Sequence, residues 1–253
     1  MKKLFFLLCV ISIFLPILAN NLYTVECPTA GLLSRGEAGI HFKILQNNGI
    51  VLGADVGLTD FFQFGLAFGG EEVIGHKEPQ WNRVDYKVKL RLINEKLSFP
   101  AIAIGIDTQG HGSYHNHEKR YDTLSKGVYL VASKNFSMLG LFGFDVGMNY
   151  TLDNVEEGNE NFDFFTGMYK TFGEHLVLFG DFSLGLNDRN REMIENGVNI
   201  SLTSLSRGYL NTGLQLRIND QLSVKLLLHD LLRNRPDTWA FDRSLLIDYR
   251  WFF

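Results

Sequence analysis

The stretch QGHGSYHNHEKRYD, Gln109 to Asp122, gathers His111, His115, His117, Glu118 and Asp122. Imidazole and carboxylate are the ligands of borderline divalent metals, and His115 and His117 share one face of an extended segment. Dedicated sites add flanking cysteines or an HExxH helix, and this stretch has neither. The expectation is a hydrated loop, with no metal and no cofactor. A second chemistry is nucleophilic. Ser113 lies close to His111 in the chain, and Ser244 could approach His229 if their segments pair. A serine nucleophile also needs a third group to orient its base. The chain order points to no such group, so a lipid-cleaving enzyme stands as an alternative behind a chain without enzymatic activity. No GxxxxGK[ST] is present to cradle a phosphate.

The elements that would hold these residues are strands. Arg83 to Ile93, RVDYKVKLRLI, alternates strictly. Val84, Tyr86, Val88, Leu90 and Leu92 point one way, and Asp85, Lys87, Lys89 and Arg91 the other. The same period recurs from Phe62 to Gly69, Phe142 to Tyr150, Leu210 to Ile218 and Leu222 to His229. These runs exceed the ~5–6 residues of an average soluble strand and match the ~9–11 residues of a tilted strand crossing a bilayer. Short connectors such as Thr59-Asp60, Ser137-Met138 and Asn219-Asp220 alternate with long polar stretches at 70–83, 108–126, 151–160, 188–207 and 232–239. Short periplasmic turns and longer extracellular loops give that rhythm in a transmembrane barrel.

Twelve such strands run from 36–45 to 240–253, with 97–107 and 176–187 among them. The expected fold is an all-β, antiparallel barrel over 36–253. Asn196 to Leu205 also alternates, but one more spanning strand would make the number odd and invert every later turn. It is placed in a loop above the membrane. The chain ends SLLIDYRWFF, in which Leu245, Ile247, Tyr249, Trp251 and Phe253 form a lipid-facing stripe. Tyr249, Trp251 and Phe253 fall at the periplasmic interface, where amphipathic rings are favoured; an aromatic end after such a stripe resembles the terminal signature of bacterial outer-membrane barrels, which implies that these three form an assembly signal.

Lys2 and Lys3 followed by the apolar run Leu4 to Leu18 read as a signal peptide over 1–19. Residues 20–35 then form a periplasmic segment ahead of the barrel. Cys9 falls in the leader and Cys27 stands alone, so no internal disulfide is expected. The net charge of -4 excludes nucleic acid as an electrostatically recruited partner. The expected partners are outer-membrane lipid and lipopolysaccharide, the barrel-assembly machinery, and a polysaccharide or small solute. The location follows as the bacterial outer membrane.

With the apolar faces outward, the lumen receives Lys43, Lys87, Lys89, Arg91, Arg217, Lys225 and Arg250, against Asp55, Asp85, Asp107, Asp145, Asp181, Asp242 and Asp248. A strongly selective pore carries one sign in excess. Balanced signs suit ion pairs filling a narrow, wet lumen, with Lys87, Lys89 and Arg91 paired to aspartates on neighbouring strands. A small-solute channel is the alternative. The faces of 127–136 and 161–172, with Lys134 and Lys170, are open at this point.

Several stretches together resemble the YjbH-like group of bacterial outer-membrane barrels. They are PTAGLLSRGEAGIHFKI (28–44), VGLTDFFQFGLAFGG (56–70), YKVKLRLINEKLSFPAIAIGIDTQG (86–110), SKGVYLVASKNF (125–136) and RGYLNTGLQLRIND (207–220). The resemblance implies an envelope-associated barrel linked to exopolysaccharide production or export. It brings no catalytic residues.

Overall fold

The computed structural model describes residues 21–253 apart from 47, 77, 156–160, 196–197 and 236–240; the side chains of 190–203 also lie outside the description. The stretch 1–19, expected to be a leader, lies outside the described residues. Twelve antiparallel strands form the wall: β1 Glu37–Leu45, β2 Ile50–Thr59, β3 Phe62–Glu71, β4 Asp85–Ile93, β5 Ala101–Asp107, β6 Gly127–Ser137, β7 Leu141–Tyr150, β8 Asp163–Phe172, β9 Leu176–Ser183, β10 Tyr209–Arg217, β11 Leu222–His229 and β12 Asp242–Phe252. Each pairs with its chain neighbours, and β12 closes on β1 in a register running from Glu37↔Phe252 to Leu45↔Ser244. Closure removes the sheet edge, which in hydrocarbon would cost several kcal/mol per unpaired backbone group.

Two expected strands are shorter than the alternation suggests. β5 begins at Ala101 rather than Leu97, because Pro100 has no N–H to donate to a ladder and Lys96 bridges Phe99 in a turn of its own. β9 stops at Ser183, two residues before Gly185, whose φ of 66° turns the chain away. The alternating stretch within 196–205 does stand outside the wall: Val198–Thr203 pairs with Asn190–Glu195 as a hairpin between β9 and β10.

The period of two sorts the faces. On β7, Asp145 is 1% exposed while its neighbour Val146 is 50% exposed. Leu52, Leu66, Phe68, Phe164, Met168, Leu214 and Leu226 line the same outer surface. A soluble protein rarely leaves so continuous an apolar surface in water. Rings also meet near both ends of this belt: Phe68 stacks on Trp81 at 5.6 Å, and Tyr249 on Trp251 at 5.9 Å. The open faces also resolve. Tyr129, Val131, Phe165 and Tyr169 point inward, buried to 4% exposure or less. Lys134 and Lys170 therefore lie outside and bend to the rim, donating to turn carbonyls at Lys96 (2.5 Å) and Leu139 (3.0 Å).

Asn116 sits at the exposed tip of a small hairpin, His111–His115 with Arg120–Thr123, in the long β5–β6 loop. An epitope tag inserted there is expected to be labelled on intact cells. Labelling only after the outer membrane is broken would invert the orientation.

Candidate functional site: a hairpin inside the barrel

Of the charged residues assigned to the lumen by alternation, Asp55, Asp85, Lys89, Asp107, Asp145, Asp181 and Lys225 are buried, and the lumen is not simply wet. Residues 21–36, placed beneath the barrel on sequence grounds, run through its interior instead. The segment climbs from Gly36, whose N–H donates to Gly57 O at 3.0 Å, reverses at Thr24–Cys27, and descends to Asn21. It is a small hairpin: Thr24 N–H donates to Cys27 O at 3.0 Å, Thr29 N–H to Leu22 O at 3.1 Å, and Tyr23 bridges Pro28. Glycines let it pass close to the wall. A Cβ on Gly57 would lie 2.1 Å from Ser34 O.

The reason it enters is chemical. Between 21 and 34 the only charge is Glu26, and the rest is apolar or small. The wall facing it is unusually apolar. Cys27 and Ala30 pack on Ala101, Ala103, Tyr129, Val131 and Phe165, while Val25 packs on Leu141, Tyr169, Val177, Phe179 and Leu227. Each Val, Leu or Phe among them contributes about 1.5–3 kcal/mol when fully withdrawn from water.

Polar contacts then fix the hairpin in place. Asp181 Oδ2 accepts from the backbone N–H of Val25 (2.8 Å), Glu26 (2.8 Å) and Cys27 (3.1 Å), and from Thr24 Oγ1 at 2.8 Å. Its Oδ1 accepts from Asn211 at 2.7 Å. Ala30 N–H donates to Ser133 Oγ at 2.7 Å, and that hydroxyl donates to Asp145. Tyr23 OH donates to Asp107 at 2.8 Å. The expected pairing of Lys89 and Arg91 with aspartates is corrected here. Lys89 Nζ donates to Leu22 O (3.0 Å) and Gly31 O (3.1 Å), and Arg91 Nε to Ala30 O at 3.0 Å. Lys87 lies over the Tyr23 ring at 4.9 Å. The hairpin offers carbonyls and a π face where the alternation left only strand neighbours in view.

The remaining lumen charges fall near the two ends. Asp55 accepts from Gln63 at 3.4 Å and lies 3.3 Å from His41 Nδ1. Arg250 pairs with Asp248 at 3.3 Å, and Lys225 is buried between Phe179 and the β12 face. Arg217 points inward at the periplasmic end of β10. At the extracellular end, Asp85 is bound by Arg83, Thr108 and Tyr121, and Asp242 by Arg235 at 3.1 Å. Lys43 reaches up to Glu26 at 2.9 Å.

Alternation also missed a lid of loop charges. Arg83 reaches Asp153 at 2.7 Å, and Arg120 reaches Asp188 at 2.6 Å. Burial works against the Arg120 charge, but the Asp188 carboxylate outweighs it and raises its pKa above the usual arginine value. These pairs fold the loop inward and bury Tyr121 and His111. The histidines of the Gln109–Asp122 stretch consequently separate: His111 enters the lumen, His115 meets Asp122 at 2.9 Å, and His117 is exposed.

Ser244 does meet His229, with Oγ 2.7 Å from Nε2, and Glu26 lies 3.0 Å from the other ring nitrogen. The line has the connectivity of a nucleophile, a base and an orienting acid. It faces the lumen rather than the lipid, and Ser244 is 3% exposed. This placement differs from the outer-surface position expected for Ser244 in a lipid-cleaving enzyme. Two cavities flank the hairpin. The upper, of about 40 Å³, is lined by Glu26, His111, Lys126, Asp188 and His229. The lower, of about 100 Å³, is lined by Tyr23, His41, Lys87, Asp107, Asp248 and Arg250.

A closed barrel, apolar outside and charged within, has one stable solvent. The protein is a bacterial outer-membrane β-barrel. Several solved outer-membrane proteins are similar to the chain at low identity. The KdgM porin matches at 6% identity and a TM-score of 0.48, covering 86% of this chain and 99% of that one. The NanC porin matches at 8% and 0.47, covering 85% and 99%. An outer-membrane channel of the COG4313 group from Pseudomonas putida F1 matches at 11% and 0.45, covering 87% and 97%. No family model matches the chain, and no curated protein does. The resemblance to the YjbH-like group therefore gains no support from these comparisons.

Proposed function

We propose that this outer-membrane barrel is a non-enzymatic small-solute channel, held shut at mid-height by the hairpin of residues 21–36. The observation that carries this reading is that the obstruction is separate from the wall. None of the hairpin belongs to a barrel strand, and the ladder of twelve strands is complete without it. Its hold on the wall is largely through side chains, above all Asp181. It joins the wall covalently only at the start of β1, so it can withdraw toward the periplasm while the barrel stays closed. Polar cavities already lie on either side of it. With the hairpin in place, both have room for only a few waters. A link to exopolysaccharide export rests on the sequence resemblance alone. Lumen charges of both signs imply weak ion selectivity. In this reading lipid and lipopolysaccharide surround the belt, and the barrel-assembly machinery reads Tyr249, Trp251 and Phe253.

Planar-bilayer recording tests the reading. The parent is expected to open rarely, and Asp181→Ala to open persistently with little preference between cations and anions. If Asp181→Ala frees the hairpin, as read by labelling of Cys27, and still passes no current, the channel reading fails.

A further inference from the structure

Glu26, His111 and His229 come from three distant places: the hairpin tip, an extracellular loop and the upper end of β11. One carboxylate oxygen and two imidazole nitrogens lie within 4.8 Å of one another. Glu26 Oε1 is 3.0 Å from His229 Nδ1 and 3.4 Å from His111 Nδ1. The rings stack with centroids 4.0 Å apart, and both histidines are buried, at 3% and 7% exposure. Despite these short distances, neither Nδ1 makes a hydrogen bond. The nitrogens are near the oxygen but not aimed along a donor–acceptor axis. Buried polar atoms without a partner are rare and ask for an explanation.

We propose that the three form a binding site for a divalent metal of the zinc class, ligated by Glu26 Oε1 and both Nδ1 atoms. The three donor atoms are close enough to share one ion, and modest rotation of the stacked rings brings both lone pairs onto it. A tetrahedral zinc with bonds of ~2.0–2.1 Å holds its ligand atoms about 3.4 Å apart. The two contacts, 3.0 and 3.4 Å, match that edge to within a few tenths of an ångström. The outer partners are those of a metal-bound imidazole. His229 Nε2 meets Ser244 Oγ at 2.7 Å, and His111 Nε2 lies 3.6 Å from Asp242 Oδ2. All three ligands line the upper cavity, which gives the ion a path in and room for a water as fourth ligand. Lys43, 2.9 Å from the same Glu26 oxygen, opposes a cation there and weakens the site. A bound ion would latch the hairpin tip to both the loop and the wall, so metal would stabilise the inserted hairpin by mass action.

The test uses the untagged, folded chain in detergent, stripped with chelator and titrated calorimetrically with Zn²⁺. Folding of each variant is checked by its heat-dependent gel mobility. One ion per chain is expected. Glu26→Gln and His229→Gln are expected to weaken binding by more than the ~10–100-fold typical of losing an outer partner. His115→Gln and His117→Gln should leave it unchanged, and Lys43→Gln should tighten it. The sign at Lys43 matters, because a plain ion-pair cluster would gain no metal affinity from that change. X-ray absorption of the zinc-loaded parent should show two imidazoles and oxygen. Absent binding, binding lost with His115 or His117, or a spectrum without two imidazoles would each overturn the site.

Discussion

Asp181→Ala is expected to loosen the hairpin by on the order of 3 kcal/mol, and to do so without opening the barrel wall. One carboxylate oxygen accepts three successive backbone N–H groups and the Thr24 hydroxyl. Hydrogen bonds to a charged group contribute about 1.5–3 kcal/mol each, and stranding a buried donor costs about 1–3 kcal/mol. The full sum is not expected, because water entering the vacated space re-satisfies some donors. The apolar contacts of Val25, Cys27 and Ala30 also persist. Cys27 is itself the reporter. It is fully buried and holds a free thiol, so it reacts only when the hairpin leaves. At 1.4 kcal/mol per tenfold, a loss of this size raises its labelling rate about 100-fold. Asp181→Asn keeps the shape and one accepting oxygen, and should fall between the parent and the alanine variant. If Cys27 in Asp181→Ala labels as slowly as in the parent while the barrel remains folded, Asp181 is not the anchor.

Changing Ile247 to Arg should cost roughly 2–4 kcal/mol of folding stability in bilayers, the range for an arginine at mid-depth on a lipid-facing strand. Ile247 sits midway along β12, between Phe42 of β1 and Val224 of β11 in register, with Leu245 and Tyr249 on the same face. Its guanidinium would have no lumen to enter, because a single substitution cannot flip the strand without flipping every other side chain on it. Removing Phe253 is a different perturbation. Phe253 is 78% exposed and lies past the last ladder pair, holding one terminal hydrogen bond from its N–H to Gly36 O at 3.0 Å, so its loss should leave in vitro stability nearly unchanged while lowering the amount delivered to the membrane. Urea titration of folded protein in lipid vesicles separates the two. Equal midpoints for Ile247→Arg and the parent would show that this face does not meet lipid.

The barrel was legible in the sequence because its cause is local. A strand with lipid on one side and a polar lumen on the other must alternate, and the period is written into each segment independently of its neighbours. For the same reason Lys43, Asp55, Asp181, Lys225 and Arg250 could be assigned to the lumen before any pairing was known. What they do there was not legible. Lys89 and Arg91 read as partners for aspartates, yet they hold carbonyls of a segment some sixty residues away along the chain. The one signal of that segment's fate was its composition: a stretch lodged in the periplasm has no reason to carry a single charge between 21 and 34. Inner-wall residues such as Val131, Val177 and Phe179 gave a matching hint, since a water-filled lumen has no use for them. The histidines show the limit most clearly. His111, His115 and His117 look like one cluster in the chain, but the loop folds His111 inward and leaves His117 in water. The group that converges is Glu26, His111 and His229, which no spacing relates. Alternation is a property of one strand in its solvent. Convergence inside a closed lumen depends on the register of twelve strands and on which segment fills the space between them, and only the tertiary structure decides that.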